Sequence, residues 1–144
     1  MKMLIALDTN VLVAGLSSRN GASNQILEHL LDGAFSLLAT PALWLEYEAV
    51  LKRDIQRQRH GYSPEEVDLL LDTFAQFALP VRLHYLWRPQ LRDANDEMVL
   101  ELAVNGRAHA LVTHNMSDFS EAAPRFGLRL QTPAEFLKLL ESTL

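Results

Sequence analysis

Cysteine is absent from the 144 residues, which excludes a disulfide framework and a thiolate zinc site and suits a reducing compartment. Long apolar runs are missing too. The longest uncharged stretch, Gly33 to Leu45, has thirteen residues and contains Pro41, whereas a bilayer span needs roughly 20 apolar residues. Met1 to Leu7 holds one lysine and an apolar run that stops at Asp8, too short for the apolar part of a secretion signal and without a small-residue cleavage site. The expectation is a cytoplasmic protein with no membrane span. Basic residues are in deficit, 13 Lys and Arg against 18 Asp and Glu, for a net charge of −5. That balance argues against a coat that binds nucleic acid non-specifically. The excess of acid has another meaning if carboxylates gather around divalent cations, because the count then overstates the negative field that a phosphate substrate meets. No Gly-rich phosphate loop of the nucleotide-triphosphate type is present, and the five histidines show no metal-ligand spacing.

What the chain does contain is an alternation of strands and helices. Lys2 to Leu7 is a near-continuous apolar run ending in Asp8-Thr9-Asn10, the pattern of a strand buried on both faces. Val11 to Leu16 reads as a short helix, and Ser23 caps an amphipathic helix over Ile26, Leu27, Leu30 and Leu31 that Gly33 closes. Phe35 to Ala39 is a second strand. Thr40 and Pro41, a cap and a proline at the first helical position, open a helix reaching about Arg53. Lys52 to His60 is the one basic run. Ser63-Pro64-Glu65-Glu66 is a capping box for a helix through about Phe77, and Val81, Leu83 and Tyr85 alternate as an edge strand does. Leu86 to Arg92 reads as a loop. A helix over Asn95 to Asn105 stops at Gly106, an apolar strand runs from His109 to Thr113, and a short strand near Leu128 to Leu130 leads to the capping box Thr132-Pro133-Ala134-Glu135 and a last helix. The pattern calls for one domain over 1–144, a three-layer α/β/α sandwich around a mostly parallel sheet. In such sheets ligands bind beyond the carboxyl ends of the strands.

Carboxylates occur at those ends. Asp8 directly follows the first strand, where it is equally a good helix cap. Asp96 begins the stripe continued by Val99, Leu100 and Ala103, so its side chain heads inward, a costly place for an unpaired charge; its neighbour Glu97 reads as a first-turn acid favoured by the helix dipole. Asp118 follows the strand ending at Thr113 and competes with Ser117 as a cap. Glu46 and Glu48 flank the inward face set by Leu43, Tyr47, Val50 and Leu51, and periodicity does not choose between them. Several carboxylates at the ends of one sheet make an oxygen-rich site of the kind hard divalent cations prefer. Lys52, Arg53, Arg57 and Arg59 are candidates for phosphate contacts or simply a solvated helix face. Trp44, Tyr47 and Trp87 are candidates for base stacking, a dimer interface or core packing.

The segments LDTNVLVAGL, LEYEAVLKR, RDANDEMVLELA, LVTHNMSDF and TPAEFL, in this order and spacing, together resemble a PIN domain over essentially the whole chain. The resemblance is to the toxin components of toxin–antitoxin systems related to the VapC-like ribonucleases. It implies a Mg²⁺- or Mn²⁺-dependent endoribonuclease whose catalytic metal ligands are Asp8, Glu46, Asp96 and Asp118, with products carrying 5′-phosphate and 3′-hydroxyl ends. Asn10, Asp93 and Thr113 match supporting positions, and Glu48 is then a solvated residue. Asn115 departs from the part of the family that has aspartate there, which puts the second metal in question. An antitoxin partner and a homodimer are further implications. Two other readings stand beside this one. A phosphatase of the haloacid-dehalogenase kind also places Asp after its first strand, but with a second acid two residues on, where this chain has Asn10. A non-catalytic module that binds RNA or protein through the same fold is the other, because fold alone does not certify activity.

Overall fold

The computed structural model describes residues 2–84 and 90–144. Its elements run β1 (Leu4–Leu7), α1 (Thr9–Ser17), α2 (Ala22–Leu31), β2 (Ser36–Ala39), α3 (Pro41–Leu51), α4 (Asp54–His60), α5 (Pro64–Ala75), β3 (Ala78–Pro80), α6 (Ala94–Asn105), β4 (Ala110–Val112), α7 (Met116–Phe119), a 3-10 turn (Ala123–Phe126), β5 (Leu130–Gln131) and α8 (Pro133–Ser142). The five strands form one sheet in the order β3-β2-β1-β4-β5, and every pairing is parallel. Ile5, Ala6 and Leu7 of β1 and Ala110, Leu111 and Val112 of β4 are all buried. Successive strand residues point to opposite faces, so continuous burial means that both faces are covered. The expected α/β sandwich is the fold. Among the described residues no helix is long and apolar enough to cross a membrane.

The caps Thr40, Ser63 and Thr132 stand where the sequence puts them. Thr40 accepts from the Leu43 N–H at 3.2 Å, and reciprocal capping boxes join Ser63 to Glu66 and Thr132 to Glu135. Three local expectations are corrected. Gly21, not Ser23, is the N-cap of α2, and the buried Ser23 hydroxyl instead meets Nε2 of His114 at 2.9 Å. The helix that begins at Pro41 ends at Leu51, and the basic run forms its own helix, α4, after Arg53 turns extended. The edge strand lies at Ala78–Pro80 rather than from Val81 onward, because Leu37 N–H reaches Phe77 O and Val81 N–H reaches Ala39 O. Pro80 is tolerated there because an edge strand leaves one row of N–H groups unused. Glu97 stands in the first turn of α6 as expected; it is also 7% exposed, and its carboxylate accepts the backbone N–H groups of Gln90 and Leu91. Tyr85 and Trp87 lie outside the described residues. Tyr47 is fully buried, and Trp44 packs edge-on against it at 5.5 Å.

Candidate active site

Strand order reverses at β1, which has β2 on one side and β4 on the other, so the crevice at the carboxyl ends of β1 and β4 is the topological switch point where such sheets bind ligands. Asp8 and Thr113 close that crevice. Asp8 N–H continues the ladder to Val112 O at 3.0 Å, which fixes the backbone from which its carboxylate projects. One oxygen, Oδ1, accepts from Thr9 N–H at 2.8 Å and so caps α1. The other, Oδ2, accepts the Thr113 hydroxyl at 2.8 Å. Capping and site-building are therefore done by one side chain. The same hydroxyl accepts Asn115 N–H at 3.0 Å and Asn10 Nδ2 at 3.4 Å, which uses its one donor and both acceptor positions. Burial raises the pKa of Asp8; the bonds from Thr113 and Thr9 oppose the rise, and the charges of Asp118 and Asp93 add to it.

The N-terminus of α6 brings two more acids to this point. Asp93 caps the helix by accepting Asn95 N–H at 2.8 Å. Asp96, in the first turn, is pushed up to about 7, first by burial, then by the charges of Asp8, Asp118 and Asp93, and by a side-chain hydrogen bond to Asp118. Two carboxyl groups that share a hydrogen bond cannot both be ionised cheaply, which adds to the rise at Asp96. Asp118 sits inside α7, whose N-cap is Asn115, so it does not serve as the cap. Among the described residues no Lys or Arg forms an ion pair with Asp8, Asp93, Asp96 or Asp118.

Helix α3 supplies the glutamate. The buried Tyr47 hydroxyl donates to Leu7 O, pinning α3 to the end of β1; burial and then the Asp8 charge keep that phenol protonated. Glu46, one residue earlier, lines a cleft of about 540 Å³ together with Asp8, Asn10, Asp93, Asp96 and Asn115. Asp118 lines the adjoining hollow, which shares Asp93 and Asp96 with the cleft. Glu48 instead holds Lys52 at 2.8 Å. Of the basic candidates, Arg53 and Arg59 line the acidic cleft. Lys52 bridges Glu48 and, at 2.7 Å, Asp68, while Arg57 lies 3.6 Å from Asp54 on a separate hollow. Sequence reasoning missed the Tyr47 and Glu97 anchors. An aromatic on an inward stripe and an acid in a first turn both have ordinary explanations, and only the tertiary partners distinguish them.

The profile of the PIN domain family matches residues 5–117. The chain belongs to the PIN-domain family. PIN domains are usually nucleases, a class that acts on nucleic acid and generally depends on divalent metal. The matched segment of this PIN domain includes Asp8, Glu46 and Asp96 and stops one residue before Asp118. No curated protein matches the chain.

The residues of this PIN domain fit a hard divalent cation in donor type and in charge. All the candidate donors are oxygens, and among the described residues their mutual repulsion has no cationic counterweight in an ion pair. Among the described residues, however, no three His, Asp or Glu side chains lie close enough to hold a metal ion by themselves. A cation bound here would keep part of its water shell, as Mg²⁺ does when it takes only one or two carboxylates.

Proposed function

We propose that this PIN domain, folded as one unit over 1–144, is a Mg²⁺- or Mn²⁺-dependent endoribonuclease and the toxin component of a toxin–antitoxin pair, acting as a homodimer. The observation that carries the catalytic part is the approach of Asp96 to Asp8 and Asp118, with the Asp96 pKa pushed up to about 7 by burial and then by those charges, and none of the three in an ion pair among the described residues. Such a cluster is unfavourable on its own terms, and a divalent cation is the species that reverses its sign.

Asp8, Glu46, Asp96 and Asp118 would hold the cation, directly or through waters. Thr113 and Asn10 keep the Asp8 carboxylate in one orientation, and Asp93 fixes the start of α6 so that Asp96 faces Asp8. When bound, the cation neutralises the acids, offsets phosphate charge and makes water acidic enough to serve as a nucleophile near neutral pH. Asn115 offers an amide without charge, so the cluster carries one acid fewer than it would with aspartate there. Arg53 and Arg59, which line the cleft, would meet the phosphodiester backbone.

Purified protein incubated with mixed RNAs in Mn²⁺, Mg²⁺ or EDTA, beside Asp8→Asn and Asp96→Asn, tests the reading. Cleavage in either metal, none in EDTA and little in either variant is expected. Cleavage in EDTA, or wild-type activity in both variants, contradicts the mechanism. The uncharged Asn115 and the lack, among the described residues, of a tight three-ligand cluster favour a second reading, a PIN module that binds RNA without cutting it; binding without cleavage in any metal selects it.

A further inference from the structure

The acidic cleft continues into a second hollow. Ser17 and Arg59 line both, and beyond them the hollow, about 410 Å³, is lined by Arg19, Asn24, His60, Tyr62 and one acid, Glu66, among others; the Glu66 carboxylate accepts the Ser63 N–H at 3.0 Å. This volume falls within the roughly 300–1,000 Å³ of small-ligand clefts. Its chemistry differs from that of the cleft. Arg19 and Arg59 are exposed and in no ion pair among the described residues. The Ser17 hydroxyl at the junction is out of solvent and has no hydrogen-bond partner there.

The aromatic wall is built rather than incidental. His60 Nε2 meets Leu51 O at 2.8 Å, and His60 Nδ1 accepts the Tyr62 N–H at 2.9 Å. These two bonds, one at each ring nitrogen, fix the orientation of the ring. It lies 5.4 Å from the Tyr62 ring at a tilt of 33°, bracing the tyrosine. Gly61, between them, takes the left-handed conformation, φ 79°, that allows this reversal.

We propose that this hollow is a nucleotide subsite of the same nuclease: a base of single-stranded RNA stacks on Tyr62, and the adjoining phosphate is held by Arg19 and Arg59. The inference rests on the ribonuclease reading above. A fixed aromatic beside unpaired arginines is the arrangement that takes an unstacked base together with its phosphate, whereas duplex RNA keeps its bases out of such a hollow. The arginines also let an anionic strand approach an otherwise acidic cleft.

The test compares wild type with Arg19→Gln, Tyr62→Leu and Tyr62→Phe on a ribodinucleotide and a hexaribonucleotide in Mn²⁺, with binding of the labelled hexamer followed by anisotropy. Arg19→Gln and Tyr62→Leu should lower kcat/KM for the hexamer about tenfold, the scale of one lost stacking or ionic contact, and leave the dinucleotide rate unchanged. Tyr62→Phe, which keeps the ring, should restore wild-type behaviour and shows that loss in Tyr62→Leu is not misfolding. Equal hexamer rates in all four proteins, with the wild type active, overturn the subsite and leave the nuclease standing. A wild type that cuts nothing, but whose hexamer binding falls in Arg19→Gln and Tyr62→Leu, upholds the subsite and removes the nuclease reading. Tighter binding of an acidic peptide than of the hexamer, lost in the same variants, assigns the hollow to a protein partner and also overturns the proposal.

Discussion

At the scale of single residues, the site depends on how one hydroxyl is shared. Thr113 is fully buried and spends its donor on Asp8 Oδ2 while accepting from Asn115 and Asn10. Thr113→Val keeps the shape but leaves a buried carboxylate oxygen without its donor, at a cost of about 1–3 kcal/mol. Thr113→Ser should recover most of it, and chemical denaturation of the three proteins checks both. The pH response follows from Asp96. Its folded pKa is about 7 against an ordinary value of 3.8, so between those values the folded protein binds more protons than the unfolded chain. Stability is then greatest at the acid end of the window and falls as pH rises towards 7. Asp8 and Glu101, both raised by burial, act in the same sense. Metal-stripped protein should therefore melt higher at pH 5.5 than at pH 8, with a smaller difference in Asp96→Asn; an unchanged difference in that variant would show that Asp96 is not the cause. At this scale the acids were legible because they follow strand ends or begin a helix. The choice between Glu46 and Glu48 was not legible from periodicity, since both flank one face, and it is the Lys52 contact that separates them.

At the scale of elements, capping residues and glycines announce most boundaries, and the misses have physical causes. No Pro or Gly marks the break between α3 and α4. The chain bends there with Lys52 drawn to Glu48 and Asp68 on α3 and α5, a tertiary cause that local propensity does not carry. The edge strand was misplaced because its alternating pattern continues beyond the residues that the ladder from β2 can pair. Close packing of α1 on α2 gives this scale its prediction. A Cβ on Gly15 would lie 2.4 Å from Leu27 Cδ1 and 3.0 Å from Ser23 O. Gly15→Ala gains up to about 1 kcal/mol of helix propensity but must push α2 away, at roughly 1–3 kcal/mol. A net loss of stability is expected in urea titration, where a neutral or stabilising result would mean that Leu27 gives way freely.

At the scale of the whole molecule, the alternation of strands and helices was enough to expect a parallel sheet covered on both faces. The strand order was not legible, because it is decided by which crossovers pack on which face rather than by any one segment. That order creates the switch point at β1 and β4, and with it the meeting of residues 105 positions apart, Asp8 and Thr113. The net charge of −5 takes on its meaning here, since part of it is concentrated in one cleft beside Arg53 and Arg59. The central claim is that these acids form a joint site for a divalent cation, and calorimetric titration of Mn²⁺ into metal-stripped wild type, Asp8→Asn and Asp96→Asn addresses it most directly. Saturable binding by the wild type, weakened at least about tenfold in each variant, the equivalent of about 1.4 kcal/mol, is the predicted result. Absence of Mn²⁺ binding by the wild type, or equal affinity in all three proteins, would contradict it.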